Sequence, residues 1–345
     1  MKKFLIISTT GMGDTLWGTP AIRAIKKNMP HSCIDLLLQP QWKSLFKENN
    51  NITRLISYHP QWYLQLLKLP DILKFYYDHV FIFHANKDIR RILPLLRTSF
   101  IWSHQYPDII PGVSEKQIIR FDKPIHGILR RMEMLKKIQI PSNGTHMDIF
   151  IDDKNQRNAL SFLQNNHTKP EEFIYLNVGG SLPHKQWPIE KFVALIKIIL
   201  KNTSLSAVLG GGPEDTGRIH SIDQQINQDR IILAKHRTLA ENCALIKRAK
   251  LLVTPDSGPM HIGFSLKVPT ISLWPASGTH PATGIHGEID PMNGPEYCGP
   301  LDIEKSLSCV LRGNFLDLNE KIRGELSPLE PISVDEVWQK ILRFL

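Results

Sequence analysis

Cysteine and long apolar runs are both scarce in this sequence. Its 345 residues contain four cysteines, none of them in a C-x-x-C pair, which excludes a disulfide framework and indicates a reducing compartment. No apolar run approaches the roughly 18 residues of a membrane-spanning helix. The run at residues 4–7 is too short for the core of a signal peptide, and we interpret it as the first β-strand. We therefore expect a cytoplasmic protein.

The sequence also lacks the spacings of common metal and nucleic-acid sites. It has no H-E-x-x-H or C-x-x-C site and no D-x-D motif suited to a catalytic cleft, so we expect no metal. Signatures of RRM, KH, zinc-finger and helix-turn-helix domains are absent as well, which disfavours nucleic acid as a partner.

The composition is that of an ordinary globular protein. Hydrophobic residues make up 42% of the chain and charged residues 22%, which excludes disordered and collagen-like classes. The length suggests two domains at roughly 150 residues each. We predict domains at 1–165 and 166–330, followed by a terminal amphipathic helix at 331–345.

Positive charge is concentrated in the first half of the chain. Residues 1–165 contain 23 lysines and arginines against 13 acidic residues, whereas residues 166–345 contain 19 against 20. A solvated basic surface is one explanation. The asymmetry favours another, in which one domain faces an anionic partner such as a lipid surface or a phosphorylated substrate.

Short apolar runs alternate with amphipathic segments in both halves, which predicts two domains with parallel sheets. The predicted strands are 4–7, 34–38, 80–83, 173–178, 205–209, 231–233, 251–254 and 270–274. The predicted helices are 15–28, 126–138, 189–200, 239–249, 259–266 and 334–345. Residues 275–330 are rich in glycine and proline, and we interpret them as irregular loops.

Open parallel sheets bind ligands at the carboxyl ends of their strands, so glycine-rich turns there are the candidate sites. The first turn, 11–14, carries Asp14 as a candidate general base. Capping of the following helix is the simpler interpretation of this carboxylate, worth about 1 kcal/mol. A dinucleotide fingerprint is disfavoured because Leu16 stands where G-x-G-x-x-G requires glycine.

A second turn, 255–261, leads from a strand into a helix that starts near Pro259. Free backbone N–H groups and the positive helix end make it a candidate phosphate site, to which Ser257 can donate its hydroxyl. Alternatively, His261 could be a buried core histidine, and Asp256 could be only a helix cap.

Two further turns follow strands in the same half. In 179–188, Lys185 could reach a phosphate as a point charge or be a solvated loop lysine. In 209–215, Glu214 or Asp215 could bind a ribose hydroxyl, which is a weak signal by itself.

In combination and in this order, the motifs resemble glycosyltransferase family 9, the heptosyltransferases of bacterial lipopolysaccharide core assembly. The resemblance is carried by GMGD at 11–14, TPAIRA at 19–24 with Pro30, HKQWP at 184–188, GGGPE at 210–214 and DSGPMH at 256–261.

The resemblance implies an α/β chain of GT-B fold, with two Rossmann-like doubly wound domains facing a central cleft. It implies inverting transfer without an obligatory metal or other cofactor. The C-terminal domain would bind a nucleotide sugar, typically ADP-heptose. The N-terminal domain would bind an anionic glycolipid acceptor of the lipid A–Kdo type, in peripheral contact with the cytoplasmic face of the inner membrane.

By position in the family motifs, Asp14 matches the general base and Lys185 a residue that stabilises the leaving diphosphate. The resemblance extends to a set of donor-binding residues: Gly180, Ser181, Lys185, Glu214, Arg237, Asp256, Ser257, Gly258, Pro259 and His261. Charge and position in the chain suggest residues near the acceptor: Gly13, Arg90, Arg91, Arg120 and Arg130.

Other functions remain open at this stage. One is a nucleotide-sugar epimerase on the same scaffold, which needs no acceptor. Another is a related transferase with a different sugar donor or a protein acceptor, and a third is a non-catalytic nucleotide-sugar-binding module. The sequence leaves the donor sugar, the acceptor hydroxyl and the oligomeric state undetermined.

Overall fold

The chain folds as two compact units, Met1–Phe150 and Ile151–Leu345. The structure, a computed structural model, describes residues 1–61, 71–105, 109–180, 182–277, 294–301, 305, 307–314 and 327–345. Among these residues, no helix is long and apolar enough to cross a membrane.

The first unit is built on a parallel six-stranded sheet. Its strands in chain order are β1 (Lys3–Ser8), β2 (Cys33–Leu38), β3 (Arg54–Ser57), β4 (Tyr76–His84), β5 (Arg97–His104) and β6 (Ile118–Ile119). Their spatial order is β3-β2-β1-β4-β5-β6. The α-helices described in this unit are α1 (Met12–Leu16), α2 (Thr19–Asn28) and α3 (Gly127–Lys136). Short 3₁₀ helices lie at Pro40–Leu45, Asp71–Lys74, Lys87–Arg91, Leu93–Leu95 and Glu115–Gln117.

The second unit repeats this plan. Its strands are β7 (Phe173–Asn177), β8 (Ser206–Gly210), β9 (Ile231–Leu233), β10 (Leu251–Pro255), β11 (Thr270–Ser277) and β12 (Ser308–Asn314). They pair in parallel in the order β12-β11-β10-β7-β8-β9. Its described α-helices are α4 (Asp153–Asn165), α5 (Ile189–Asn202), α6 (Thr216–Ile226), α7 (Leu239–Ile246), α8 (Gly258–Ser265), α9 (Pro295–Cys298) and α10 (Val334–Ile341). The predicted fold class, α/β with two doubly wound Rossmann-like domains, is confirmed.

The apolar strands form as predicted because central parallel strands are buried on both faces and therefore read as continuous apolar runs. In β1, every residue from Phe4 to Ser8 is buried. The predicted helix 15–28 is instead two helices, α1 and α2. Pro20 has no N–H to donate to the carbonyl of Leu16, and the hydroxyl of Thr19 donates to it instead, at 2.7 Å.

The predicted domain boundary at residue 165 needs correction, because α4 belongs to the second unit. Asn158 on α4 donates to the Glu241 carboxylate on α7 at 3.3 Å, and the Arg237 guanidinium lies 4.0 Å from the centre of the Phe162 ring. The terminal helix is also part of this unit, since Val337 is buried in the same core cluster as β7 and α5.

The expectation of irregular loops over 275–330 is partly wrong. Strand β12 pairs with β11 along most of its length, and α9 precedes it. The signal was missed because Ser308–Asn314 has no sustained apolar alternation; β12 is recognised only by its pairing. Residues 278–293, 302–304, 306 and 315–326 within this stretch lie outside the described residues.

Each sheet has one point at which the strand order reverses. It lies between β1 and β4 in the first unit and between β7 and β10 in the second. The chain leaves neighbouring strands in opposite directions there, which opens a crevice at their carboxyl ends where ligands bind in doubly wound sheets. The candidate residues are therefore sought at these two points.

Candidate active site

In the first unit, Asp14 lies just after β1, at the third position of α1. Its Oδ2 accepts hydrogen bonds from the hydroxyl of Thr10 at 3.0 Å and from the backbone N–H of Gly11 at 3.3 Å. The Nδ1 of His84, the last residue of β4, lies 3.0 Å from the same oxygen. The ends of β1 and β4, the strands on either side of the reversal point, thus both contribute groups that hold the Asp14 carboxylate.

The other oxygen of Asp14 is less engaged. Its nearest cation is Arg131 Nη2 at 3.8 Å, and no hydrogen bond to it is found among the described residues. The Arg131 side chain is only 1% exposed, and its guanidinium donates to the carbonyls of Gly127 at 2.7 Å and of Asp14 at 3.0 Å. The Asp14 side chain is 22% exposed, and Oδ1 is the less engaged of its two oxygens.

Electrostatics keep Asp14 ionised. Burial alone would raise the pKa of this carboxyl, but the charge and hydrogen bond of His84, the charge of Arg131 and the Thr10 hydroxyl outweigh it. The pKa of Asp14 is thereby held well below its usual range.

A cavity of about 570 Å³ borders this cluster within the first unit. Thr10 and His84 belong to its wall, Lys87 and Arg90 bring positive charge, and the remainder is mostly apolar. Its other lining residues are Ile82, Phe83, Ala85, Asn86, Ser103, His104, Ile109, Ile110 and Pro111. The two cations in this wall could bind an anionic group.

In the second unit, Asn177 at the end of β7 ties the two strands of the reversal point together. Its side-chain amide lies 3.0 Å from the Thr254 hydroxyl at the end of β10 and 3.2 Å from that of Ser257, and it also donates to the carbonyl of Gly179 at 3.2 Å. The loop before α8 is therefore held in place from the neighbouring strand.

An ion pair spans the same point. Lys185 Nζ lies 2.7 Å from Asp256 Oδ2, with side chains 17% and 11% exposed. The ammonium group can make further hydrogen bonds beside this one. It is therefore fixed in place and still able to bind an anion.

Helix α8 begins at Gly258, directly after this loop, and has Pro259 in its first turn. Ser257 makes no side-chain cap to it; its hydroxyl donates to the carbonyl of Pro255 at 3.2 Å instead. The first N–H groups of α8 are thus not capped by Ser257, and the helix dipole favours negative charge at this end.

The glycine turn after β8 is organised by Asp215 rather than Glu214. Asp215 is buried and accepts the Gly212 N–H at 2.8 Å, while burial raises the pKa of its carboxyl. A Cβ at Gly179 would lie 1.8 Å from Asp215 Oδ2, so this close approach of two turns requires glycine. Glu214 is exposed and remains available to a ligand.

A family model describes the middle of the chain. Glycosyltransferase family 9 (heptosyltransferase) matches residues 96–295, which is more than half of the chain. The chain belongs to glycosyltransferase family 9. It is accordingly a glycosyltransferase, and the predicted family is confirmed.

Curated relatives agree with this family 9 assignment, and a solved structure shares the fold. Lipopolysaccharide heptosyltransferase 1 of Campylobacter coli is 29% identical over 47% of this chain and 49% of its own length. Lipopolysaccharide heptosyltransferase 3 of Escherichia coli K12 is 26% identical over 77% of this chain and 80% of its own. The structure of E. coli ADP-heptose lps heptosyltransferase II superposes with a TM-score of 0.74 at 16% identity, covering 100% of this chain and 98% of that one.

Most donor residues expected from the family 9 motifs lie at the second reversal point or in the turns beside it. Gly180 accepts from the Gln186 side chain at 3.3 Å, and a Cβ there would lie 2.7 Å from the Lys185 carbonyl. His261 is buried inside α8 against Phe264. Ser181 lies outside the described residues.

Arg237 has a local role in this family 9 chain. Its guanidinium stacks on Phe162 and pairs with Glu241 at 3.7 Å. Thr238 caps α7 through its hydroxyl, which accepts the Glu241 N–H at 3.2 Å. The contact with Phe162 holds α4 against the start of α7.

The predicted acceptor residues are scattered. Gly13 lies in α1 beside Asp14, and Arg90 lines the cavity. Arg91 is exposed but is not part of the cavity wall, Arg120 pairs with Glu115 at 2.8 Å, and Arg130 is buried. Of the four arginines, the structure brings only Arg90 into the wall of this cavity.

Sequence reasoning missed Thr10, His84 and Asn177 as site residues. Each stands at or just beyond the end of a strand beside a reversal point. The end of β4 at His84 was one residue beyond the predicted strand 80–83. The rule that ligands bind at strand ends could have selected His84, but the strand order that puts it beside Asp14 is not visible in the sequence.

Proposed function

We propose that this chain is an inverting transferase that moves a heptose from ADP-heptose to a hydroxyl of a lipopolysaccharide inner-core acceptor. The family supports sugar transfer, and its relatives, which are lipopolysaccharide heptosyltransferases, support heptose as the sugar and lipopolysaccharide as the acceptor. The observation that carries the proposal is the Asp14 carboxylate, which is held through Oδ2 and is less engaged at Oδ1, at the strand edge where doubly wound sheets bind ligands.

The chemistry required is a single displacement. As the acceptor oxygen attacks the anomeric carbon, the bond from that carbon to the diphosphate oxygen breaks, and its electron pair leaves with ADP. The hydroxyl proton must be removed as the new bond forms, and Asp14 is the general base proposed for this step. Attack opposite to the leaving group inverts the anomeric centre.

Residues of the second unit are suited to the leaving group. Negative charge grows on the diphosphate as the bond breaks, and it is stabilised by donors that are already in place. Lys185, the Ser257 hydroxyl and the N-terminus of α8 supply a cation, a hydroxyl donor and a helix dipole. Glu214 is the carboxylate proposed to bind the ribose hydroxyls.

The acceptor is proposed to be an anionic glycolipid of the lipid A–Kdo type that binds to the first unit. Residues 1–150 contain 21 lysines and arginines against 11 acidic residues, and Arg90 and Lys87 line the cavity beside Asp14. We extend the proposal to peripheral contact with the cytoplasmic face of the inner membrane, since the same charge attracts anionic lipids.

The test is acceptor-dependent release of ADP from ADP-heptose. Wild-type protein should release ADP only when a lipid A–Kdo glycolipid is present, and Asp14→Asn should lose about 100-fold or more in kcat. Donor binding by Asp14→Asn, measured by calorimetry, should stay at the wild-type value because Asp14 belongs to the other unit.

Other outcomes would reject the proposal. Donor turnover without acceptor and without ADP release would indicate an epimerase. Tight donor binding without transfer to any glycolipid or protein acceptor would indicate a binding module. A thermal-shift panel of nucleotide sugars identifies the donor independently, because a ligand that binds only the folded protein raises its Tm.

A further inference from the structure

His84 is held by one of its two ring nitrogens. Nδ1 lies 2.5 Å from the Thr10 hydroxyl oxygen and 3.0 Å from Asp14 Oδ2. An unprotonated Nδ1 would set its lone pair against the carboxylate, so the proton belongs on Nδ1, from which it is donated to this pair of oxygens. In the neutral ring, the lone pair is then on Nε2.

The second nitrogen is available to a substrate. No hydrogen bond to Nε2 is found in the part of the chain that the structure describes. The His84 side chain is 24% exposed and forms part of the wall of the 570 Å³ cavity. A carboxylate at one ring nitrogen, with no hydrogen bond from the described residues at the other, is the arrangement of a histidine base oriented by an acid.

Asp14 is engaged at the oxygen that faces the imidazole. Its Oδ2 accepts from the Thr10 hydroxyl and the Gly11 N–H beside His84 Nδ1. This oxygen is therefore placed to orient the ring, and the negative charge of the carboxylate stabilises a positive charge on the imidazole.

We propose that His84 is the proton-accepting member of an Asp14–His84 pair, taking the acceptor's hydroxyl proton at Nε2 while Asp14 holds Nδ1 and stabilises the imidazolium. The inference rests on the proposed function and divides the role of its general base between two residues. The hydroxyl oxygen bonds to the anomeric carbon, ADP leaves with the electron pair of the broken bond, and the proton passes from Nε2 to solvent after turnover.

Asp14 is not the only charged or titratable group near His84. Lys87, Arg90 and His104 share the cavity wall with it, and Arg131 from α3 lies 3.8 Å from Asp14 Oδ1. Burial, together with Arg131 and Arg130, holds the pKa of His104 well below its usual value, so His104 stays neutral across the range in which imidazoles titrate. It therefore does not contribute to the pH dependence of the rate.

The test compares His84→Asn with wild type over pH 5 to 8, with ADP-heptose and the glycolipid acceptor. The asparagine amide can still donate to Asp14 and Thr10, but it offers no base in place of Nε2. We expect kcat to fall by about 100-fold or more. The acid limb of the wild-type pH profile, where rate is lost as the imidazole is protonated, should disappear.

The matched control is His167→Asn. His167 is an exposed histidine of the second unit with φ 51°, and this variant should keep the wild-type rate and pH profile.

A second variant covers the case in which His84→Asn does not fold. His84→Ala leaves space for a free imidazole, and added imidazole should restore part of the rate. Unchanged kcat in His84→Asn would overturn the inference, and so would a reduced kcat with the acid limb retained, or no rescue of His84→Ala. If wild type itself transfers no heptose, the proposed function fails, whereas active wild type with an unaffected variant rejects only the role of His84.

Discussion

At the scale of single residues, both reversal points use a short-range charge contact that joins distant parts of the chain. Asp14 meets His84, and Lys185 meets Asp256. The Lys185–Asp256 pair should affect both stability and activity, because it is mostly buried and the lysine is also proposed to bind the diphosphate.

Removing one member of that pair should cost stability as well as activity. Lys185→Ala leaves the Asp256 carboxylate buried without its partner, which costs about 3 kcal/mol in unfolding free energy for such pairs. We expect Lys185→Ala combined with Asp256→Asn to be more stable than Lys185→Ala alone, because the stranded charge is gone. Urea denaturation measures this difference.

Measurements of kcat should distinguish two roles of Lys185, stabilising the leaving group and neutralising Asp256. If the ammonium stabilises the leaving group, the double variant recovers stability but not kcat. Recovery of both would mean that Lys185 only neutralises Asp256. The neighbouring Lys191, which pairs with Glu330 at 3.0 Å, offers a matched control, since Lys191→Ala should lower stability without affecting kcat.

At the scale of elements, α8 is held close to the sheet so that its N-terminus follows directly from β10. Gly263 makes this close packing possible. A Cβ there would lie 2.6 Å from Leu252 Cδ2 on β10 and 2.6 Å from the Thr270 hydroxyl on β11. The helix would have to move away from the sheet to accommodate it.

Gly263→Ala should therefore destabilise the second unit by about 1–3 kcal/mol and weaken donor binding. Gly217→Ala is the control, because a Cβ at that position of α6 meets nothing within 4 Å. It should leave donor binding unchanged and raise stability by up to about 1 kcal/mol. Equal stability of the two variants would contradict the close packing of α8.

The elements also explain which sequence predictions succeeded. Strands such as β1 and β10 were predicted because a buried parallel strand has an apolar run that is visible locally. β12 was missed because its sequence has no recognisable strand pattern, and only its pairing with β11 identifies it as a strand. The position of α4 was missed because only its contacts with α7 assign it to the second unit.

At the scale of the whole molecule, the charge imbalance follows the division into units. Residues 1–150 carry an excess of ten positive charges, whereas residues 151–345 contain 21 basic and 22 acidic residues. The attraction between a basic unit and an anionic substrate is weakened by salt. The screening length is about 10 Å at 0.1 M ionic strength.

The acceptor KM should consequently depend on salt more steeply than the donor KM. We expect the acceptor KM to rise by about threefold or more from low to physiological salt, since the acceptor is drawn to the basic unit. Initial rates with a delipidated, water-soluble acceptor measure this effect free of micelle formation. Equal salt dependence for both substrates would mean that the excess charge has no part in acceptor binding.

The sequence by itself determined the fold class, the alternation of strands and helices and the family, because buried apolar runs and glycine turns are local features. It also selected Asp14, Lys185 and Asp256 from their motifs. Only the tertiary structure decided that Asp14 lies against His84 and that Asn177 bridges to Ser257. Those contacts join residues 70 and 80 positions apart in the chain, and they depend on which strands become neighbours, a choice made by long-range pairing across the whole sheet.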